Sequence, residues 1–227
     1  IVNNNNKSSS KISSDYITGI MDSLTFLVNE LGNYFESFEP LIPPDYHVMT
    51  FFQARYRHWI KQVINFHTQD VDRLEKADML LVVTWIDWYI NEMKYLFDIR
   101  KEEATLLQIV DNIMNAFIYT SKTKLKNLVD NIISMEHAGQ ALSDQNGYYY
   151  TTGPQDLFFT VHQQLTVILA YGLKGRGLLY VANMLKETFK YHQQAQLNFL
   201  SSTSATNVID LNFLMAMINN CQQCQYN

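Results

Sequence analysis

The sequence predicts an all-α fold: elongated, rod-like tandem helical bundles built from about seven amphipathic helices. Three observations carry this. Apolar residues recur at spacings of three and four along most of the chain, the period of one face of an α-helix. The chain has 8 glycines and 4 prolines in 227 residues. That is few for a β-sandwich or a doubly wound sheet and suits long helices with short connections. No segment alternates strictly enough to make a convincing strand, although residues 148–152 have local β propensity.

Composition bounds the rest. Hydrophobic residues make up 47% and aromatics 13%, enough to offset the ordering entropy of most of the chain. The length allows one large domain or two small ones. A net charge of -5 and a pI near 5.6 argue against a general nucleic-acid binder, which would carry a basic excess. Cys221 and Cys224 are the only cysteines, too few for a disulfide scaffold, so the chain reads as intracellular. The N-terminus lacks a basic-then-apolar signal peptide. No run of about 18 apolar residues exists; the window 165–173 is too short. Any membrane role would be peripheral.

Taken in order, residues 1–14 are Asn- and Ser-rich and are expected to be flexible. The abrupt start and the ending inside a helical pattern suggest an excerpt. Ser14 or Asp15 can cap a first helix with Tyr16, Ile20, Leu24, Leu27, Leu31 and Phe35 on one face. Pro40, Pro43 and Pro44 break it. Asp45 stands where a second helix begins, with Val48, Phe52, Tyr56 (or Arg55), Trp59, Val63 and Phe66 as its apolar stripe. Residues 76–98 predict a third helix along Leu81, Trp85, Trp88 or Tyr89, Met93 and Leu96.

Residues 102–135 carry Leu106, Ile109 or Val110, Ile113 and Phe117, then Leu125, Leu128, Ile132 and Met135. The spacing weakens at 119–124, so one bent helix or two is expected. Residues 138–147 are polar and loop-like. Tyr148, Tyr149 and Tyr150 then lead into an elbow, Thr151-Thr152-Gly153-Pro154. Thr152 fits a helix cap, Pro154 the first helical position, and Asp156 the positive helix start. Leu157 and Phe158 point to the core. The glycine-rich segment 172–177 stops this helix. Leu178, Val181, Leu185, Phe189, His192 and Phe199 mark the next, to about residue 200. After a turn at 201–206, a last helix follows through Leu211, Leu214 or Met215, Ile218 and Cys221. The domain reading is a flexible 1–14, a first bundle over 15–147, and a second bundle over 148–227, incomplete at its C-terminus.

No constellation points to catalysis. Cys221 and Cys224 have the spacing of half a zinc or redox site, but no second ligand pair exists. His47, His58, His67, His137, His162 and His192 lack the spacing to carboxylates of a bundle-core metal site, and read as surface or boundary residues. Lys122, Lys124 and Lys126 read as a solvated face. Trp59, Trp85 and Trp88 sit on helical stripes and read as core. Residues 172–177 lack a phosphate loop's Lys-Ser/Thr ending. They read as a helix stop with Lys174 and Arg176 near its negative end, the two named candidates for contact with an acidic partner.

The elbow carries a resemblance. Tyr149-Tyr150-Thr151-Thr152-Gly153-Pro154-Gln155-Asp156-Leu157-Phe158 resembles the Tyr-Tyr-Thr-x-Gly-Pro-x-Asp-Leu-Phe stretch of the exocyst complex component three family, often called the Sec-six family. Ile42 to Tyr46 is similar to that family's Phe-Pro-Pro helix start, with Arg57-His58 where it has a Tyr-His pair. The segment Leu80 to Tyr89 is similar to its Leu-Leu-x-Trp-Val-x-x-Tyr run. The segment Asp210 to Cys221 is similar to its helix ending in Asn-(Asn/Asp). Tyr150, Thr152, Gly153, Pro154, Asp156, Leu157 and Phe158 then form the structural family motif.

The resemblance implies a middle or C-terminal helical region of a non-enzymatic subunit that needs no cofactor or metal. It would belong to the complex that tethers secretory vesicles at the plasma membrane before SNARE-driven fusion. Implied partners are other exocyst subunits and plasma-membrane SNARE proteins, with no nucleic acid. The implied location is cytoplasmic, peripheral to the plasma membrane at sites of exocytosis. The alternative within the resemblance is the tumour-necrosis-factor-induced branch, acting in membrane protrusion and cytoskeletal remodelling.

Overall fold

The computed structural model describes residues 14–96, 100–138, 141–204 and 211–226. Among them run the helices α1 (Ser14–Phe38), α2 (Val48–Thr68), α3 (Lys76–Leu96), α4 (Arg100–Ala138), α5 (Gly153–Ala170), α6 (Gly175–Ser204) and α7 (Leu211–Tyr226). A hairpin of β1 (Leu142–Ser143) and β2 (Tyr149–Tyr150) lies between α4 and α5. The all-α expectation holds. The Asn- and Ser-rich leader lies outside the described residues apart from Ser14, as does the expected start of the last helix at 207. The weak spacing at 119–124 does not interrupt α4, which is one helix, and α6 runs through Ser204 where a turn was expected from 201.

The described residues gather into two compact units. Ile1–Phe117 with Tyr171–Leu178 make the first, and Ile118–Ala170 with Leu179–Asn227 the second. The division falls inside α4, whereas the sequence reading sets it at the elbow, between 147 and 148.

In the first unit α3 is the central element. Leu80, Val82, Val83, Trp85, Ile86, Tyr89, Ile90 and Met93 are all buried, covering more than half of its circumference. A helix with so wide an apolar face belongs inside a core. Its first turn is fixed by a buried carboxylate. Asp78 accepts from the Ser14 hydroxyl of α1 at 2.8 Å and reaches back to the Glu75 backbone N–H at 3.3 Å. The Met79 N–H in turn donates to the Glu75 carbonyl at 2.9 Å. This is the return half of a capping box, with aspartate in place of glutamate. Asp78→Ala removes both acceptors together with a negative charge at a helix start. It is expected to cost about 1–2 kcal/mol, read as a lower urea midpoint with an unchanged slope.

Packing sets the phase of α1. The buried row is Ile17, Met21, Leu24, Val28, Leu31 and Phe35, so the predicted row is corrected at three places: Ile17, Met21 and Val28 are buried where Tyr16, Ile20 and Leu27 were expected. Tyr16 is exposed and sets its ring edge-on against His67 of α2, 5.5 Å between centroids. Trp85 donates its indole N–H to the Thr25 hydroxyl at 2.8 Å, tying α1 to α3.

The predicted stripe of α2 is also corrected. Ile60 and Ile64 enter the core, while Phe52, Trp59 and Phe66 are exposed. This helix carries two apolar faces, and periodicity does not say which one is buried. The expectation that all three tryptophans are core fails at Trp59.

In the second unit the buried row of α4 is Leu125, Val129, Ile133 and Glu136. Leu128 and Met135, both predicted as core, face outward. The core is closed by Leu157 and Val161 of α5, Val181 and Met184 of α6, and Phe213 and Met217 of α7. In α7 the expected stripe is again the outer one. Leu211, Met215 and Ile218 are exposed, and Phe213, Ala216, Met217 and Asn220 are buried. Apolar residues surround this helix, so its spacing is degenerate.

Candidate functional site

The elbow is assembled from its turn outward. The Asp144 carboxylate accepts from the backbone N–H of Asn146 and of Tyr148, each at 2.8 Å. Gly147 takes a left-handed φ of 80°, a conformation that costs glycine little. That closes the turn and pairs Tyr150 with Leu142 and Tyr149 with Ser143. The β propensity at 148–152 is realised as this short strand.

β2 delivers Thr151 to a buried carboxylate. Glu136 occupies the next position on the buried row of α4, and its side chain is 2% exposed. A charge there requires donors, and three supply them. The Thr151 hydroxyl and the Asn220 amide, the latter at 2.9 Å, donate to Oε1, and the Gln196 amide donates to Oε2. Asn220 also accepts from the Thr151 backbone N–H at 3.2 Å, and Asn219 donates to the Tyr149 carbonyl at 2.7 Å. His137 lies 3.2 Å from the Gln196 carbonyl oxygen, with its ring stacked on Phe199. One carboxylate thereby joins α4, the elbow, α6 and α7.

Gly153 completes the arrangement. A Cβ there would lie 2.5 Å from the Glu136 carboxyl carbon, far inside van der Waals contact. The glycine of the elbow is therefore set by the carboxylate beneath it.

His192 is the titrating neighbour. Its Nε2 lies 3.9 Å from Glu136 Oε2. Burial pushes its pKa below 6.5, the Glu136 charge pulls it partly back up, and His137 pushes it further down. It is buried, which corrects its reading as a surface or boundary residue. The sign of the linkage follows. The unfolded chain binds the proton more readily, so the contribution of His192 to stability is fully present above pH 6.5. It falls away as pH drops through the lower folded pKa. The difference in urea midpoint between wild type and His192→Gln is expected to shrink from pH 7.5 to pH 5. A difference that stays constant over that range would refute the assignment.

The predicted motif residues take distinct places. Tyr150 is half-buried in β2. Thr152 is exposed at the position before α5, and its carbonyl accepts from the Asp156 N–H at 3.0 Å. The threonine that carries the buried hydrogen bonds is Thr151. Pro154 is buried in the first turn, one position later than predicted, and Asp156 is exposed beside it. Leu157 is buried, and Phe158 packs on Phe189 with centroids 5.3 Å apart.

Lys174 and Arg176 belong to the first unit. Gly172, at φ 72°, ends α5, and α6 already begins at Gly175, so Arg176 sits in the first turn of α6. Its guanidinium forks onto Asp111 of α4, Nε to Oδ1 and Nη2 to Oδ2, both at 2.7 Å. Arg176 thus has an acidic partner within the chain, while Lys174 is exposed. Lys122, Lys124 and Lys126 are exposed as expected. The side chains of Cys221 and Cys224 lie outside the described residues.

The Glu136 carboxylate is buried and accepts from three side-chain donors. Its chemistry is that of a lock rather than of a reacting centre. Thr151, Glu136, Gln196, Asn219 and Asn220 are absent from the sequence-predicted sites. The one signal in the sequence is the acid at position 136, in phase with Leu125 and Val129. Among the described residues no group of His, Cys, Asp and Glu is arranged to hold a metal ion. No described helix is long and apolar enough to cross a membrane.

Two of the segments that carry the resemblance, the elbow and the Asn219-Asn220 pair of α7, meet at this carboxylate. A family model described as exocyst complex component Sec6 matches residues 2–226. No solved structure matches the chain.

Proposed function

The chain belongs to the exocyst complex component Sec6 family, and from that premise we propose that it is a non-catalytic part of the exocyst that helps dock secretory vesicles at the plasma membrane before SNARE-mediated fusion. The family match over residues 2–226 carries this reading. The elbow lock supports it. The residues most like the family serve to hold helices together, and the exposed surface of those helices is left for partners. The partners are other exocyst subunits and plasma-membrane SNARE proteins. The location is cytoplasmic, peripheral to the plasma membrane, and no cofactor is required.

The test is co-purification of the full-length protein with the remaining exocyst subunits, and a protein that associates with none of them overturns the proposal. Lys174 and Arg176 remain the proposed contact for an acidic partner. With Arg176 engaged by Asp111, Lys174 is the freer charge. Lys174→Glu is expected to weaken recruitment to the membrane more than Arg176→Glu, and unchanged recruitment in both variants removes this site.

A further inference from the structure

The outward face of α2 has a chemistry of its own. Ile60 and Ile64 anchor the helix, and the opposite side presents Phe51, Trp59 and Phe66, which are 58%, 46% and 64% exposed. With Arg55, these residues follow one another at helical spacing and form a single row. The row is about 22 Å long at 1.5 Å per residue. Aromatic rings held in water along such a length mark an interaction surface more than scattered exposed side chains do. Leu27 of α1 closes a cleft beside the row with Arg55, Tyr56 and Trp59.

Charge selects the occupant. α2 carries Arg55, Arg57 and Lys61 and neither Asp nor Glu, in a chain that is acidic as a whole. Arg55 is exposed, with its guanidinium 5.4 Å from the centre of the Phe51 ring. Among the described residues Arg55 and Lys61 form no ion pair. The neighbouring α1 has the reverse character, with Asp15, Asp22, Glu30 and Glu36 and neither Lys nor Arg.

We propose that this row docks an amphipathic helix of a protein partner, apolar along the face that meets Phe51, Trp59 and Phe66 and acidic where it meets Arg55. Laying a helix into an aromatic-lined groove uses the apolar row for affinity and the cation for register. An anionic bilayer is the poorer occupant. The cleft at Leu27, Tyr56 and Trp59 receives a protruding side chain better than a flat surface. The proposal rests on the partner-binding reading above and names the kind of segment bound.

The test uses the whole chain and a synthetic helix of about 18 residues, long enough to hold its shape once bound, with leucines on one face and glutamates along one edge. A second peptide has lysines in place of the glutamates, and phosphatidylserine vesicles are the third probe. The glutamate peptide is expected to bind about tenfold more tightly than the lysine peptide. Trp59→Ala and Phe66→Ala are each expected to weaken it about tenfold, and Arg55→Glu to invert the preference between peptides. These side chains are exposed, so the variants retain the wild-type far-UV circular dichroism. Equal binding of both peptides, binding of neither, or binding that survives Trp59→Ala overturns the proposal. So does vesicle binding that depends on Trp59 when the glutamate peptide does not bind. Co-purification with exocyst subunits is measured separately, so the docking row and the tethering assignment can fail independently.

Discussion

Glu136→Ala is expected to lower the stability of the second unit by about 3–4 kcal/mol, one of the two largest effects predicted for this chain. The size follows from what remains after truncation. Thr151 and Asn220, both buried, and the half-buried Gln196 lose a charged acceptor, and each buried donor left unpaired costs about 1–3 kcal/mol. The mutual bond between Thr151 and Asn220, and the contact of Gln196 with His137, keep the total below a simple sum. The damage is expected to be local. Amide hydrogen exchange should accelerate at residues 149–157 and 211–220 and remain unchanged in α1 and α3. Glu136→Gln keeps the volume but sets an amide donor against other donors, so it should fall between wild type and alanine. A uniform rise in exchange, or a shift below about 1 kcal/mol, would show that the carboxylate is not what joins these elements.

The second large effect is Gly153→Ala, and its sign depends on Glu136. Alanine is the better helix former by about 1 kcal/mol, and Gly153 has no positive φ that would forbid it. On backbone grounds alone the substitution stabilises. In the folded protein, however, the added methyl lies 2.5 Å from the Glu136 carboxyl carbon. That carboxylate cannot swing aside without breaking its hydrogen bonds. Gly153→Ala in the wild-type background is therefore expected to destabilise by about 2–3 kcal/mol, comparable to overpacking a close-packed core. In the Glu136→Ala background the same methyl enters vacated space, and the substitution should become neutral or stabilising. The double-mutant cycle measures this coupling directly. Additivity of the two substitutions would refute the account of the elbow glycine.

The acid beneath the elbow also explains why the Tyr-Tyr-Thr-Thr-Gly-Pro stretch looks as it does. Tyr149 offers its carbonyl to Asn219, Thr151 its hydroxyl to Glu136, and Gly153 its missing side chain to the same carboxylate. The stretch is distinctive because several constraints fall on consecutive residues. None of those constraints is catalytic.

Spacing and turn residues along the chain were enough for the helical class and for the number and approximate limits of the helices. These are local properties. Spacing of three and four, prolines at 40, 43 and 44, and glycines at 172 and 175 act on the backbone within a few residues of themselves. Which face of each helix turns inward, and what the buried acid is for, follow from packing between elements. In α2 and α7 apolar residues occupy two faces, so Trp59 and Met215 satisfy the periodicity as well as Ile60 and Met217 do. The neighbouring helices choose between them. Glu136 draws its donors from positions 15, 60 and 84 residues away along the chain. No local pattern encodes that meeting, because burial of a charge becomes favourable only where distant segments bring their donors to the same place.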